Sequence, residues 1–185
     1  MRRDILRATG IVRKIDNLGR VVIPKEIRTE MQINNGNTLE IYVDKNDTVV
    51  LKKYSPVREL EDLTGYIETL EETTDANVMI TDTDRIVAVS SNLKEYQGHN
   101  LSDRVKKVME SRKTKFLDGI KDEDICLDFR SKEHQELGNL IITPIMKQGD
   151  ILGGIILATL NHELSDFESK STRVTAKVIS KRLGL

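Results

Sequence analysis

The chain runs to 185 residues, with 38% hydrophobic and 32% charged side chains, no Trp and a net charge of −1. That length allows one or two domains, and the balance is that of a soluble globular protein. A lone Cys126 excludes an internal disulfide and fits a reducing cytosol, so the expected location is cytoplasmic. The start, MRRDILRATG, carries charge but no apolar run and does not read as a secretory signal. The longest apolar run, ILGGIILA at 151–158, is far too short to span a bilayer, so no membrane partner is expected. The small net charge conceals an asymmetry: residues 1–54 hold 11 Lys and Arg against 7 Asp and Glu, and the remainder holds 18 against 23. A basic head on an acidic body suggests two domains with different jobs.

In chain order, the head offers strand-like runs at GIVRKI (10–15), GRVVI (19–23), LEIYVD (39–44) and VVLKKY (49–54). LEIYVD alternates, with Leu39, Ile41 and Val43 on one face and Glu40, Tyr42 and Asp44 on the other. Asp44-Lys45-Asn46-Asp47 reads as a hairpin turn between the last two runs. PKEIRTEMQI reads as a short helix with Pro24 at its first position, where a missing N–H costs nothing. Ile27 and Met31 share one face of it, Lys25 and Arg28 another, and Gly36 lies just past its end. A unit of this size, without disulfide or metal, cannot easily bury a sufficient core and calls for a second chain. An intertwined dimer, with strands of both chains in one barrel-like core, is the expected form.

The pattern TGIVRKIDNLGRVVIPKEIR, followed by INNGNTLEIYVD and VVLKKY, resembles the swapped-hairpin DNA-binding domain of the AbrB family over about the first 54 residues. The resemblance implies a dimer of interleaved hairpins that lays a basic face on double-stranded DNA. Matched position by position, the family's DNA-contacting residues fall on Arg13, Lys14, Arg20 and Arg28. Some members carry a second Arg directly after the helical one; this chain has Thr29, one phosphate contact fewer per chain by that pattern. Arg suits both guanine edges and narrow A·T minor grooves. With no helix rich in base-reading polar side chains, A·T-rich DNA read through shape is the expected target. Arg2, Arg3 and Arg7 form a basic terminus that reads as disordered rather than as an arm on DNA.

Tyr54-Ser55-Pro56 breaks the last strand of the head. Val57, Leu60, Leu63, Ile67 and Leu70 then recur at spacings of three and four, predicting a connecting amphipathic helix over 55–72. Its apolar stripe could pack between the domains or cover the sheet of its own body, and the pattern leaves both open. In the body, 73–185, NVMITDTDRIVAVSS reads as strand–turn–strand about Asp82-Thr83-Asp84-Arg85. LSDRVKKVMESRK is helical in pattern, with Leu101, Val105 and Val108 on one face. NLIITPIM, a Lys147-Gln148-Gly149-Asp150 turn and ILGGIILATL make a second hairpin, whose apolar last strand is expected at the centre of the sheet and whose Pro144 marks a bulge or edge. A final helix starts at a capping box, Ser165 to Glu168. The sum is an α+β domain with a central antiparallel sheet. DTDRIVAVSS and PIMKQGDILGGIIL resemble the corresponding parts of GAF sensor domains. In order, head and body are similar to sporulation-linked transcription regulators that join an AbrB-type head to a GAF-like domain, which implies a homodimer through the head and a homotetramer through both parts.

Catalytic chemistry finds little footing. Asp82 and Asp84 form a D-x-D that an ordinary turn explains better than a metal. His99, His134 and His162 lack metal-ligand spacing and read as surface residues. Cys126 reads as a buried small hydrophobe rather than as a nucleophile partnered by His134. Close backbone packing explains Gly153-Gly154 as well as any phosphate loop would. The expectation is therefore a DNA-binding regulator of sporulation-stage genes, without catalysis, metal or resident cofactor, with the GAF-like domain serving assembly or an unidentified small-molecule effector. The alternative is an antitoxin-like module whose C-terminal part binds a partner protein.

Overall fold

The computed structural model describes residues 8–31, 33, 37–45, 47–127, 136–160 and 162–183. The chain divides into two units, Met1–Lys53 and Tyr54–Leu185. Arg2, Arg3, Arg7, Gly36, Asn46 and His134 lie outside the described residues, and with them the expectations attached to them.

The first unit holds a short helix α1 (Lys25–Glu30) and an antiparallel hairpin of β1 (Leu39–Val43) and β2 (Val49–Lys53), with Val43 opposite Val49. Pro24 is the residue that caps α1 rather than its first helical residue: its ψ is extended at 150°, while its carbonyl already accepts the Arg28 N–H at 3.0 Å. The runs 10–15 and 19–23 form no ladder within one chain; the strands expected there were to pair with those of a second chain. The reason lies in the pairing: a strand exists only against a neighbour, and one chain supplies none here. The same shortage shows in burial, since no described residue of 8–53 is buried, and Val12 (84% exposed), Leu18 (75%) and Val43 (77%) face outward.

The second unit is built on a five-stranded antiparallel sheet in the order β4-β3-β7-β6-β5. Its strands are β3 (Asn77–Thr81), β4 (Ile86–Val89), β5 (Lys115–Lys121), β6 (Glu136–Lys147) and β7 (Asp150–Thr159). The apolar β7 is central, as its composition requires. Both faces are covered, and successive residues divide between them with period two. Val78, Ile80, Ile141, Ile155 and Leu157 join one core, with α2 (Leu63–Thr74) and α5 (Asp166–Arg182) over it. Met79, Leu140, Ile142, Ile156 and Ala158 join the other, beneath α3 (Asp103–Glu110) and the 3-10 segment Ser91–Tyr96. A short helix, α4 (Asp122–Ile125), follows β5. Gln148 and Gly149, both at positive φ, turn β6 into β7 as a two-residue hairpin demands. Pro144 sits where β6 has outrun β5, whose pairing stops at Ile142, and just before a register shift at Ile145 and Met146. Its missing N–H therefore costs no ladder bond on that side.

The single connecting helix expected over 55–72 is two pieces, a 3-10 turn at Pro56–Glu59 and then α2. Leu60 turns extended, and Asp62 starts α2 afresh by accepting the Gly65 N–H at 3.0 Å. The apolar stripe survives the break: Val57, Ile67 and Leu70 are buried on the sheet of their own unit. Arg58 reaches from the 3-10 turn to Asp82, 2.5 Å away and almost wholly buried. Asp82 also accepts the N–H groups of Asp84 and Arg85, each at 2.7 Å, so its oxygens serve the turn.

At the other end, Ser165 and Glu168 form the capping box, with Glu168 accepting from the Ser165 N–H at 2.7 Å and hydroxyl at 2.6 Å. Burial alone would raise the Glu168 pKa, but the two Ser165 bonds, helped by His162, bring it below the ordinary value of 4.5. A lowered folded-state pKa adds stability above the unfolded value, and that stability is lost as pH falls through the folded one. Glu168→Gln should therefore cost about 1 kcal/mol near neutrality. In urea unfolding over a pH series, the gap from the wild type should close on the acid side of 4.5; a gap constant with pH would remove the charge from the account.

Candidate nucleic-acid interface

The head's sharpest local geometry is the loop between the two unpaired runs. Asp16 Oδ1 accepts the backbone N–H of Leu18 at 2.9 Å and of Arg20 at 2.8 Å. The Gly19 N–H donates to the Asp16 carbonyl at 3.0 Å, and Gly19 takes φ of +75°, which a turn here needs and a side chain would resist. The other carboxylate oxygen of Asp16 receives the Arg20 guanidinium through Nε at 2.8 Å. Arg20's backbone N–H and then its guanidinium hold the Asp16 carboxyl below the usual carboxylate range. The Arg20 side chain stays 71% exposed, and its terminal nitrogens make no hydrogen bond among the described residues. One carboxylate thus shapes the loop and aims the cation it carries.

Arg13 and Lys14 are exposed in the run before this loop, and Arg13 donates only to its neighbour's Val12 carbonyl, at 3.0 Å. Arg28 lies in α1, half-buried, with its backbone carbonyl accepting the Ile33 N–H at 2.7 Å. Among the described residues none of Arg13, Lys14 and Arg28 has a carboxylate partner, and no bond joins the four cations to one another. Unneutralised cations of this kind suit a polyanion. Thr29 follows Arg28 on the exposed side of the helix.

Asp16 is the residue that the reading of cations passes over. Its signal was present in D-N-L-G-R: a carboxylate two and four residues ahead of the N–H groups it accepts, with Gly between them. In the second unit, Cys126 is buried in the core beneath α3, while His99 and His162 are half-buried rather than on open surface. His162 Nδ1 lies 3.2 Å from the Thr159 hydroxyl, a local tie in the turn after β7.

Residues 59–184 match the family model of the stage V sporulation protein T C-terminal region, described as a transcription factor. Residues 12–59 match that of MazE, a bacterial antitoxin in antidote–toxin recognition. The chain is 33% identical over 180 residues to stage V sporulation protein T of Bacillus subtilis (strain 168), covering 96% of this chain and 99% of that one. It is 55% identical over 51 residues to the transition state regulatory protein AbrB of the same organism, 28% of this chain and 52% of AbrB. Among solved structures, the GAF domain/HD domain protein from Geobacter sulfurreducens is similar with a TM-score of 0.51 at 16% identity, over 71% of this chain and 95% of that one. The N-terminal unit is thus AbrB-like, and the antiparallel sheet of the C-terminal unit has a GAF-like fold. By the match along nearly its whole length, the chain belongs to the stage V sporulation protein T family of transcription factors.

Proposed function

We propose that the protein binds double-stranded DNA as a dimer of interleaved swapped-hairpin heads, with Arg13, Lys14, Arg20 and Arg28 of each chain against the phosphates and grooves. The observation that carries the reading is Arg20, held through Nε by Asp16 with most of its side chain exposed. The apolar residues that the head leaves uncovered support the pairing of two chains. A·T-rich DNA, read through the width of its minor groove, suits these arginines, and sporulation-stage promoters in the cytoplasm are the natural targets for a member of this family. Titration of an A·T-rich promoter fragment with the full chain tests it. Arg20→Ala should weaken binding at least tenfold, and Asp16→Ala several-fold, since the cation stays but is no longer aimed. Wild-type affinity in both variants would refute the assignment.

The body extends the assembly to a homotetramer in this reading. Phe167, Val174 and Val178 are 54%, 62% and 41% exposed and follow one another on α5 at spacings of seven and four, an apolar stripe opposite the buried Thr172, Ala176 and Ile179. Val174→Glu should halve the mass seen in sedimentation while leaving the unfolding midpoint of the body within about 0.5 kcal/mol of wild type; an unchanged mass would move the contact elsewhere. The GAF-like body also serves as the receiver for a small-molecule effector. The antitoxin alternative draws on the match of the head to MazE. The body argues against it, because a sheet with a buried core on each face has no need of a partner to wrap.

A further inference from the structure

The sheet face beneath α5 is apolar almost throughout, yet β6 places a hydroxyl in it. Thr143 is 3% exposed, and its Oγ1 lies within hydrogen-bond distance of two other hydroxyls, Thr114 Oγ1 at 3.2 Å and Thr172 Oγ1 at 2.8 Å. Thr172, wholly buried, is also bonded to the Ser169 carbonyl at 3.0 Å. Three hydroxyls where Val or Ile would pack more cheaply need a reason. Thr114, Thr143 and Ser169 line a cavity of about 520 Å³, within the range of small-molecule sites. It exists because β5 stops pairing at Ile142 and leaves the end of β6 open on that side.

Four cations meet at this cavity: Arg112 and Lys113 from the turn after α3, and Arg173 and Lys177 from α5. Among the described residues no carboxylate lines it, and none of the four pairs with one. Arg173 and Lys177 stand one turn apart, where like charges repel. Arg112 sits at φ of +57°, a backbone conformation that side chains disfavour. The C-terminal dipole of α3 accounts for a cation in that turn. It does not account for two more arriving from a different helix at the same opening. Pro144, Met146 and Ala176 complete the lining with an apolar wall.

We propose that this cavity binds a small phosphate-bearing molecule, its phosphates on the four cations and its uncharged part on the apolar wall. The proposal rests on the reading of the body as an effector-binding domain and gives that effector a site and a chemistry. Calorimetric titration of the full chain with pyrophosphate and with ATP tests it, using wild type, Arg173→Gln/Lys177→Gln, the charge-keeping Arg173→Lys/Lys177→Arg, and Arg20→Ala/Arg28→Ala in the head. The expected result is saturable binding near one site per chain that weakens at least tenfold in the Gln pair and persists in both the charge-keeping pair and the head variant. No saturable binding of either probe to wild type, or a loss confined to the head variant, would overturn it. Equal loss in the charge-keeping pair and the Gln pair would overturn the charge argument as well. Repeating the DNA titration with saturating ATP separates the two readings: unchanged DNA affinity would remove the effector role and leave the binding site standing.

Discussion

Raising the salt from about 50 to about 200 mM is expected to weaken the protein's hold on DNA by roughly 10³–10⁵-fold. The four basic positions proposed per chain would become eight in a dimer, and each neutralised phosphate contributes about −0.9 to the slope of log affinity against log salt, so a slope near −7 is expected. Arg20→Ala removes two of the eight and should make the slope shallower by about 2. Fluorescence anisotropy across a salt series measures both quantities in one experiment. Lower affinity with an unchanged slope would mean that Arg20 reads bases or supports the loop without touching phosphate. Asp16→Ala gives the complementary pattern, a weaker complex whose slope stays near the wild type, because the number of cations is the same.

Gly153→Ala should damage the body far more than Gly154→Ala. Gly153 and Gly154 are neighbours in the central strand β7, yet they face different things. A Cβ on Gly153 would fall inside the van der Waals shell of the Thr81 carbonyl oxygen, which is backbone and cannot rotate away. A Cβ on Gly154 would press at 2.8 Å on Met109 Sδ, the far end of a flexible side chain. Overpacking against backbone is expected to cost about 2–3 kcal/mol, while Gly154→Ala should stay near 1 kcal/mol or below. Thr81 ends β3 and the next residue is Asp82, so a displaced β3 would also disturb the ion pair to Arg58. Urea unfolding of the full chain followed by circular dichroism distinguishes the two variants; equal costs would mean that β3 moves aside freely.

The sequence spoke most clearly where one physical cause acted alone. The capping box at Ser165 and the Gln148-Gly149 hairpin depend on residues within a few positions of one another, and both were readable. So was the central place of β7, whose residues are apolar on both faces because both faces are buried. β5 went unread for the opposite reason. It is an edge strand carrying Lys115, Asp118 and Lys121, with register shifts about Gly119 at φ of +62°, so neither apolar alternation nor β-branching announces it. The break at Leu60 was hidden because the apolar stripe continues across it, and only Asp62, a cap inside an apparently regular helix, betrays it. In the head, the cations and the α1 helix were legible locally, while the role of Asp16 emerges only when its two oxygens are seen to serve the loop and Arg20 at once.

The exposed Val12, Leu18 and Val43 bear on how much protein a cell must make. A unit whose described residues bury no core has little stability at high dilution, and its folded fraction would grow with the concentration of a partner chain. Occupancy of a promoter would then rise with about the square of the amount synthesised while chains are scarce, so that a modest change in expression acts as a threshold. Any other chain with a closely similar head, present in the same cell, would compete for the same uncovered apolar residues, and the ratio of the two would set which paired species reach the DNA.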